Sequence, residues 1–129
     1  MSRKLILAPV YIATSQSLSS SFNSAPTIID YMDNCSYQIN ITTTNSTGTF
    51  SVQGSLDYVP QTPSGPLANS GNWADLALGG GTPSAAAAND VILIELSQVP
   101  FRALRIAYTS TIAGTGTCDI IVMNKAVGS

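Results

Sequence analysis

The chain has 129 residues, enough to bury one hydrophobic core but not two, so a single folding unit is expected. Charged residues make up only 9% of it and the formal net charge is −2, so it lacks the positive field with which proteins grip a phosphate backbone; nucleic acid is excluded as a partner. No apolar run approaches the ~18 residues of a membrane-spanning helix, so no membrane role is expected.

Ser, Thr, Asn, Gln and Gly take the place of the missing charge. They give a polar surface that a permanent protein contact can cover without the desolvation that Lys and Glu demand. Short polar loops of an ordinary β-protein would give the same composition. Along the chain, period-two alternation dominates and no segment of helical length carries a 3.6-residue apolar stripe, which predicts an all-β fold.

The opening "MSRKLILAPVYIATSQS" has the charge-then-apolar order of a secretory leader. Pro9 and Tyr11 interrupt its apolar run, however, and an ordered strand or arm is expected instead. The Ser-rich tract at 14–25 then breaks the alternation. It reads as a linker or as a plain connecting loop; as a linker it divides an N-terminal arm, 1–25, from a β-domain, 26–129. After a short strand in "PTIID", the segment "CSYQINITT" places Cys35, Tyr37, Ile39 and Ile41 on one face. In "TFSVQGSLD", Phe50, Val52 and Leu56 share a face, and the intervening "NSTG" predicts a hairpin between the two strands.

Residues 59–72, rich in Pro and Gly, form a long loop before the short strand "WADLAL", and a second Gly-rich loop follows. "VILIEL" is almost continuously apolar, as in a central strand buried on both faces, and its Glu95 then needs a partner, for which Arg105 is preferred. Leu104, Ile106 and Tyr108 alternate with Arg105, Ala107 and Thr109. In the last strand Cys118, Ile120 and Val122 alternate with Ile121 and Met123, so that strand is expected to be covered on both sides. About eight short strands result. They predict a two-sheet antiparallel sandwich, and the jelly roll is the commonest way to close such a set.

Chemistry has little to work with. Histidine is absent, which removes the commonest general base and metal ligand, and no pair of carboxylates is selected by spacing; no enzyme activity, metal or cofactor is expected. Asp30 and Asp33 read as turn residues rather than calcium ligands, and Cys35 and Cys118 as reduced, buried thiols. Trp73 is expected in the core. The alternative is an exposed platform for a sugar ring, assisted by Tyr31 and Tyr58. Arg102 and Arg105 either form structural pairs or reach a carboxylate on another chain.

The run "QVPFRALRIAYTSTIAGTGTCDIIVMNKAVG" resembles the closing hairpin of small β-sandwich virion proteins of tailed bacteriophages, the decoration or cement class. Phe101, Arg102, Leu104, Arg105 and Tyr108 carry the likeness, with the Gly114-Thr115-Gly116 turn and a last apolar strand ending near Lys125; "FSVQGSLDY" and "WADL" echo it. The resemblance implies a non-enzymatic protein that binds major capsid protein subunits on the virion surface, stiffens the shell and self-associates at symmetry axes. It implies assembly in the host cytoplasm.

Partner contacts are expected from the arm, through Arg3, Lys4, Leu5, Leu7 and Val10 added as a strand to a neighbouring sheet, and from Arg102 and Arg105. The outer face of the last hairpin is expected to meet another subunit. The alternative function is a carbohydrate- or receptor-binding module of a phage tail or fibre, using Trp73, Tyr58 and Tyr31.

Overall fold

The alternating residues of the sequence sort onto two antiparallel sheets, with one set of faces pressed together. A computed structural model describes residues 4–6, 9–29, 34–43, 47–60, 69–76, 84–85, 89–97, 101–112 and 114–127. Among these residues eleven strands run in chain order: β1 (Lys4–Ile6), β2 (Val10–Ser17), β3 (Phe22–Asn23), β4 (Thr27–Ile28), β5 (Asn34–Thr43), β6 (Thr47–Ser55), β7 (Ala74–Asp75), β8 (Ser84–Ala85), β9 (Asp90–Ser97), β10 (Ala103–Ile112) and β11 (Gly116–Val127). Sheet A has the order β1-β11-β5-β9, with β2 also on β11; sheet B has the order β3-β10-β6-β7, with β4 also on β10 and β8 also on β6. Among the described residues there is no helix.

Three rows are broken strands. β1 and β2 lie end to end along β11, β3 and β4 along β10, and β7 and β8 along β6. Counting each as one row leaves eight, four per sheet, in which the first pairs with the eighth, the second with the seventh, the third with the sixth and the fourth with the fifth. That pairing is one long hairpin rolled into two sheets, the jelly roll.

The rolled topology overturns both predicted hairpins. β5 and β6 follow each other in sequence, as do β10 and β11, yet in each case the two strands lie in opposite sheets. A Gly- or Asn-containing reversal turns the chain, but whether the next strand lands beside its predecessor or across the sandwich is decided by which apolar faces must meet.

The core is what the inward sets predict. Cys35, Tyr37, Ile39 and Ile41 of β5, Phe50 and Val52 of β6, Leu104, Ile106 and Tyr108 of β10, and Cys118, Ile120 and Val122 of β11 are all buried. The Tyr108 ring packs against Phe50 and Phe22, with centroids 4.8 and 5.4 Å apart. Gly48 makes this possible, because a Cβ there would overlap the end of the Tyr108 ring and the Thr109 carbonyl. Leu56 departs from the pattern. It follows the end of β6 and is 70% exposed, while the buried inward position before it is Gly54, against which Phe101 packs.

The N-terminal segment does not leave the body as an arm. β2 runs beside β11 from Val10↔Val122 to Ser17↔Thr117, and β1 pairs Lys4–Ile6 with Val127–Lys125. The Ser-rich tract is likewise anchored: Leu18 within it is fully buried, its N–H donates to the Gly116 carbonyl at 2.9 Å, and β3 follows on sheet B. Ser15 has a left-handed φ of 48° where the β2–β11 register shifts, and its freed N–H donates to the Asp119 carboxylate at 2.7 Å. Apolar Leu18, Ile12 and Ala13 hold this stretch to the core, and that burial outweighs the flexibility of its serines.

Candidate interaction surfaces

Two outward faces remain once the core is filled. On sheet A, residues opposite one another across strands share a side, so the register gives the outer rows directly. One row is Leu93–Gln38–Ile121–Tyr11; its neighbours are Glu95–Ser36–Met123 and Val91–Asn40–Asp119. Leu93 is 74% exposed, Tyr11 and Val91 57% each, and Met123 38%. Pro9, Leu93, Ile121 and Met123 line a shallow groove of about 300 Å³ over Gln38 and Ser36.

This corrects the reading of "VILIEL" as a central strand. Among the described strands β9 pairs only with β5 and lies at the edge of sheet A, with Ile92, Ile94 and Leu96 inward and Val91, Leu93 and Glu95 outward. Glu95 is exposed, and its sheet is not that of Arg105, so the expected ion pair does not form. No desolvated carboxylate is left behind, because Glu95 faces water.

On sheet B the outer face is polar, and one row of it is bonded to itself. Arg105 Nε donates to Gln53 Oε1 at 2.8 Å, and Gln53 Nε2 donates to Asp75 Oδ1 at 2.9 Å, linking β10, β6 and β7 in one row. The Arg105 guanidinium lies 4.4 Å over the Trp73 ring, and Tyr58 packs on that ring at 5.6 Å between centroids. Partial burial lowers the Arg105 pKa, but arginine remains charged.

The loop that carries this cluster is tightly tied. The Asp57 carboxylate accepts from the Asn72 N–H at 2.8 Å, the Ser55 hydroxyl at 2.8 Å and the Asn72 amide at 2.7 Å, which together hold its pKa below the usual carboxylate range. Trp73 Nε1 donates to the Ser70 carbonyl at 2.8 Å, Arg102 Nε to the Tyr58 carbonyl at 2.9 Å, and Val59 and Asn69 form a bridge across the loop. Gly71 closes it with a φ of 81°, packed against Ser55 and Tyr58.

Trp73 is therefore half-buried and lies outside the core, against the expectation of burial. The structure brings together Trp73, Tyr58 and Arg105, with Arg102 bonded to the Tyr58 backbone; the sequence had divided these residues between a sugar platform and partner contacts. Lys4 and Leu5 lie in β1 opposite Val127 and Ala126, and Val10 is 54% exposed opposite Val122. Arg3, Leu7 and Tyr31 lie outside the described residues. Gln53, Asp75, Asp57 and Asn72, which orient the cluster, had no signal in the sequence beyond being polar residues near turns.

The thiols are inert by position. Burial pushes Cys35 up to about 11 and Cys118 up to about 12. Cys35 lies beside Asn124 and Cys118 beside Ile41, six residues further along β5. That is roughly 20 Å of strand, against a limit of about 7 Å between the α-carbons of a disulfide. Among the described residues no group of three or more Cys, Asp or Glu is placed to hold a metal.

No protein-family model matches the chain, and no curated protein matches it in sequence. Among solved structures it is similar to the crystal structure of the SPBc2 prophage-derived protein YomS, with a TM-score of 0.51 over 99% of this chain and 96% of that one, at 10% identity. The chain shares its sandwich fold with a protein carried by a prophage.

Proposed function

We propose that the protein is a non-enzymatic structural component of a bacteriophage particle, a decoration or cement subunit that holds major capsid protein subunits through the outer face of sheet A. The observation that carries this reading is the outward row Leu93–Gln38–Ile121–Tyr11, whose ends Leu93 and Tyr11 are exposed, with exposed Met123 and Val91 beside it. A contiguous group of exposed apolar side chains on one face of a soluble protein is a common mark of a contact site. Gln38 and Ser36 within it supply hydrogen bonds that would fix the register of a partner.

Other features support the same role. The fold is shared with a prophage-derived protein, and jelly rolls recur in viral capsid domains. Fold sets only the class, and the surface sets the role. The chain has no histidine and both its thiols are buried, which leaves few groups able to do chemistry and suits a protein whose work is adhesion. Copies would also gather with one another around the particle's symmetry axes, at the capsid surface, after assembly in the reducing host cytoplasm.

The test is to purify particles from cells in which the phage or prophage carrying the gene is induced, and to measure this chain in them by mass spectrometry. A fixed ratio to the major capsid protein is expected, and Leu93→Asp should remove the chain from the particles while leaving it folded. Absence of the wild-type chain from particles would refute the proposal.

A further inference from the structure

The opposite face holds a feature that the capsid role does not use. Asn23, Ala107 and Ser51 lie abreast on β3, β10 and β6, pointing outward from sheet B. Two of the three are small. They form the floor of a trench of about 310 Å³ that crosses the strands, with Gln53 and Asp75 along one side and Thr109 along the other. Ala107 is only 8% exposed at the bottom of it.

Its lining is polar and has hydrogen-bonding capacity to spare. Ser51 Oγ makes only a long bond of 3.5 Å to the Ala107 carbonyl. Asp75 uses Oδ1 for Gln53, while its Oδ2, the Asn23 amide and the Thr109 hydroxyl have no protein partner among the described residues. The wall is nevertheless held in place by the Arg105–Gln53–Asp75 chain, and Trp73, two residues before Asp75, continues the same face beyond Arg105 as a half-exposed ring.

We propose that this trench is a binding site for a neutral glycan, with one sugar unit over Ala107 and Ser51 and the next reaching toward the Trp73–Tyr58 pair. A sugar hydroxyl both donates and accepts, which matches a lining of amide, hydroxyl and carboxylate oxygen. The volume is at the lower end of the ~300–1,000 Å³ of ligand sites, yet those are mostly apolar and this one is not. An extended peptide is disfavoured because the trench crosses the strands instead of running along one, as strand addition requires. Asp75 in the wall disfavours anionic ligands.

The experiment is an amide NMR titration of the full chain with neutral tetrasaccharides of glucose, mannose, galactose and N-acetylglucosamine, alongside a uronic-acid tetrasaccharide. Saturable shifts at Ser51, Ala107, Thr109 and the Trp73 indole are expected with at least one neutral sugar, at about millimolar affinity. Ala107→Leu, which fills the floor, and Asp75→Ala, at an exposed position, should each weaken binding at least tenfold. Trp73→Ala should remove the advantage of the tetrasaccharide over its monosaccharide. The site is refuted if no neutral sugar shifts these resonances, if the uronate binds more tightly than all of them, or if the shifts persist unchanged in a folded Asp75→Ala variant. None of these results bears on attachment to capsids, which uses the other face.

Discussion

The outer faces of the two sheets are built from the same strand alternation and come to opposite ends. On sheet B, Arg105, Gln53, Asp75 and Trp73 satisfy one another in a bonded row. On sheet A, Leu93, Tyr11 and Met123 are exposed beside the partly buried Ile121, with no covering element among the described residues. Folding explains the first row, since its members are paired with one another within the protein. It does not explain the second, because an apolar row turned to solvent adds nothing to the stability of the monomer and raises the risk of aggregation. A face of that kind is retained for what covers it.

Substitutions can break this comparison, and the largest effect should come from the face that does least for folding. Leu93→Asp puts a charge in the middle of the apolar row; it should weaken association about 100-fold or more, as hot-spot losses do. Its unfolding free energy should stay within about 0.5 kcal/mol of the wild type, as for other surface changes. Urea unfolding and co-sedimentation with particles separate the two readouts.

Beneath sheet B's outer face the balance reverses. Gly48→Ala forces a methyl group against Tyr108 and the Thr109 carbonyl, and chemical denaturation should show a loss of about 1–3 kcal/mol. Trp73→Ala removes a half-exposed ring together with its cation–π contact. It should cost about 1–2 kcal/mol, well below the 3–5 of a fully buried aromatic. A loss at the upper figure would return Trp73 to the core.

The smallest effect is one of pH. Asp57 is depressed in the folded state by its hydrogen bonds from Asn72 and Ser55, so the order it gives the loop is complete above the unfolded carboxylate range and is lost as pH falls through its folded pKa. Trp73 fluorescence should therefore change on acidification below about pH 4, and Asp57→Asn should flatten that step.

How far the sequence foretold this can be judged residue by residue. Period-two alternation identified the inward residues of β5, β10 and β11 because each strand is buried on one side, where sequence period and burial coincide. It failed for β9, where outward Leu93 and Val91 are as apolar as inward Ile92 and Ile94; an exposed contact face is indistinguishable from a second buried one when only hydrophobicity is read. The turn residues "NSTG" and Gly114-Thr115-Gly116 predicted reversals without telling a ladder from a crossing, which depends on contacts distant in sequence. Trp73 and Tyr58 were grouped only in the alternative sugar-platform reading, and their link to Arg105 runs through β10, which lies about 30 residues further along the chain and comes alongside only through the pairing of β10 with β6.

The central claim, that sheet A's outer face is covered in the assembled particle and sheet B's is not, is tested most directly by thiol labelling. Cys35 and Cys118 are buried, with thiol pKa values well above neutrality, so the native protein should be nearly silent to a maleimide. Leu93→Cys and Thr109→Cys should both label rapidly in the isolated chain. In intact particles Leu93→Cys should become protected by a factor of ten or more while Thr109→Cys keeps its rate. Equal labelling of Leu93→Cys in particles and in solution would contradict the account.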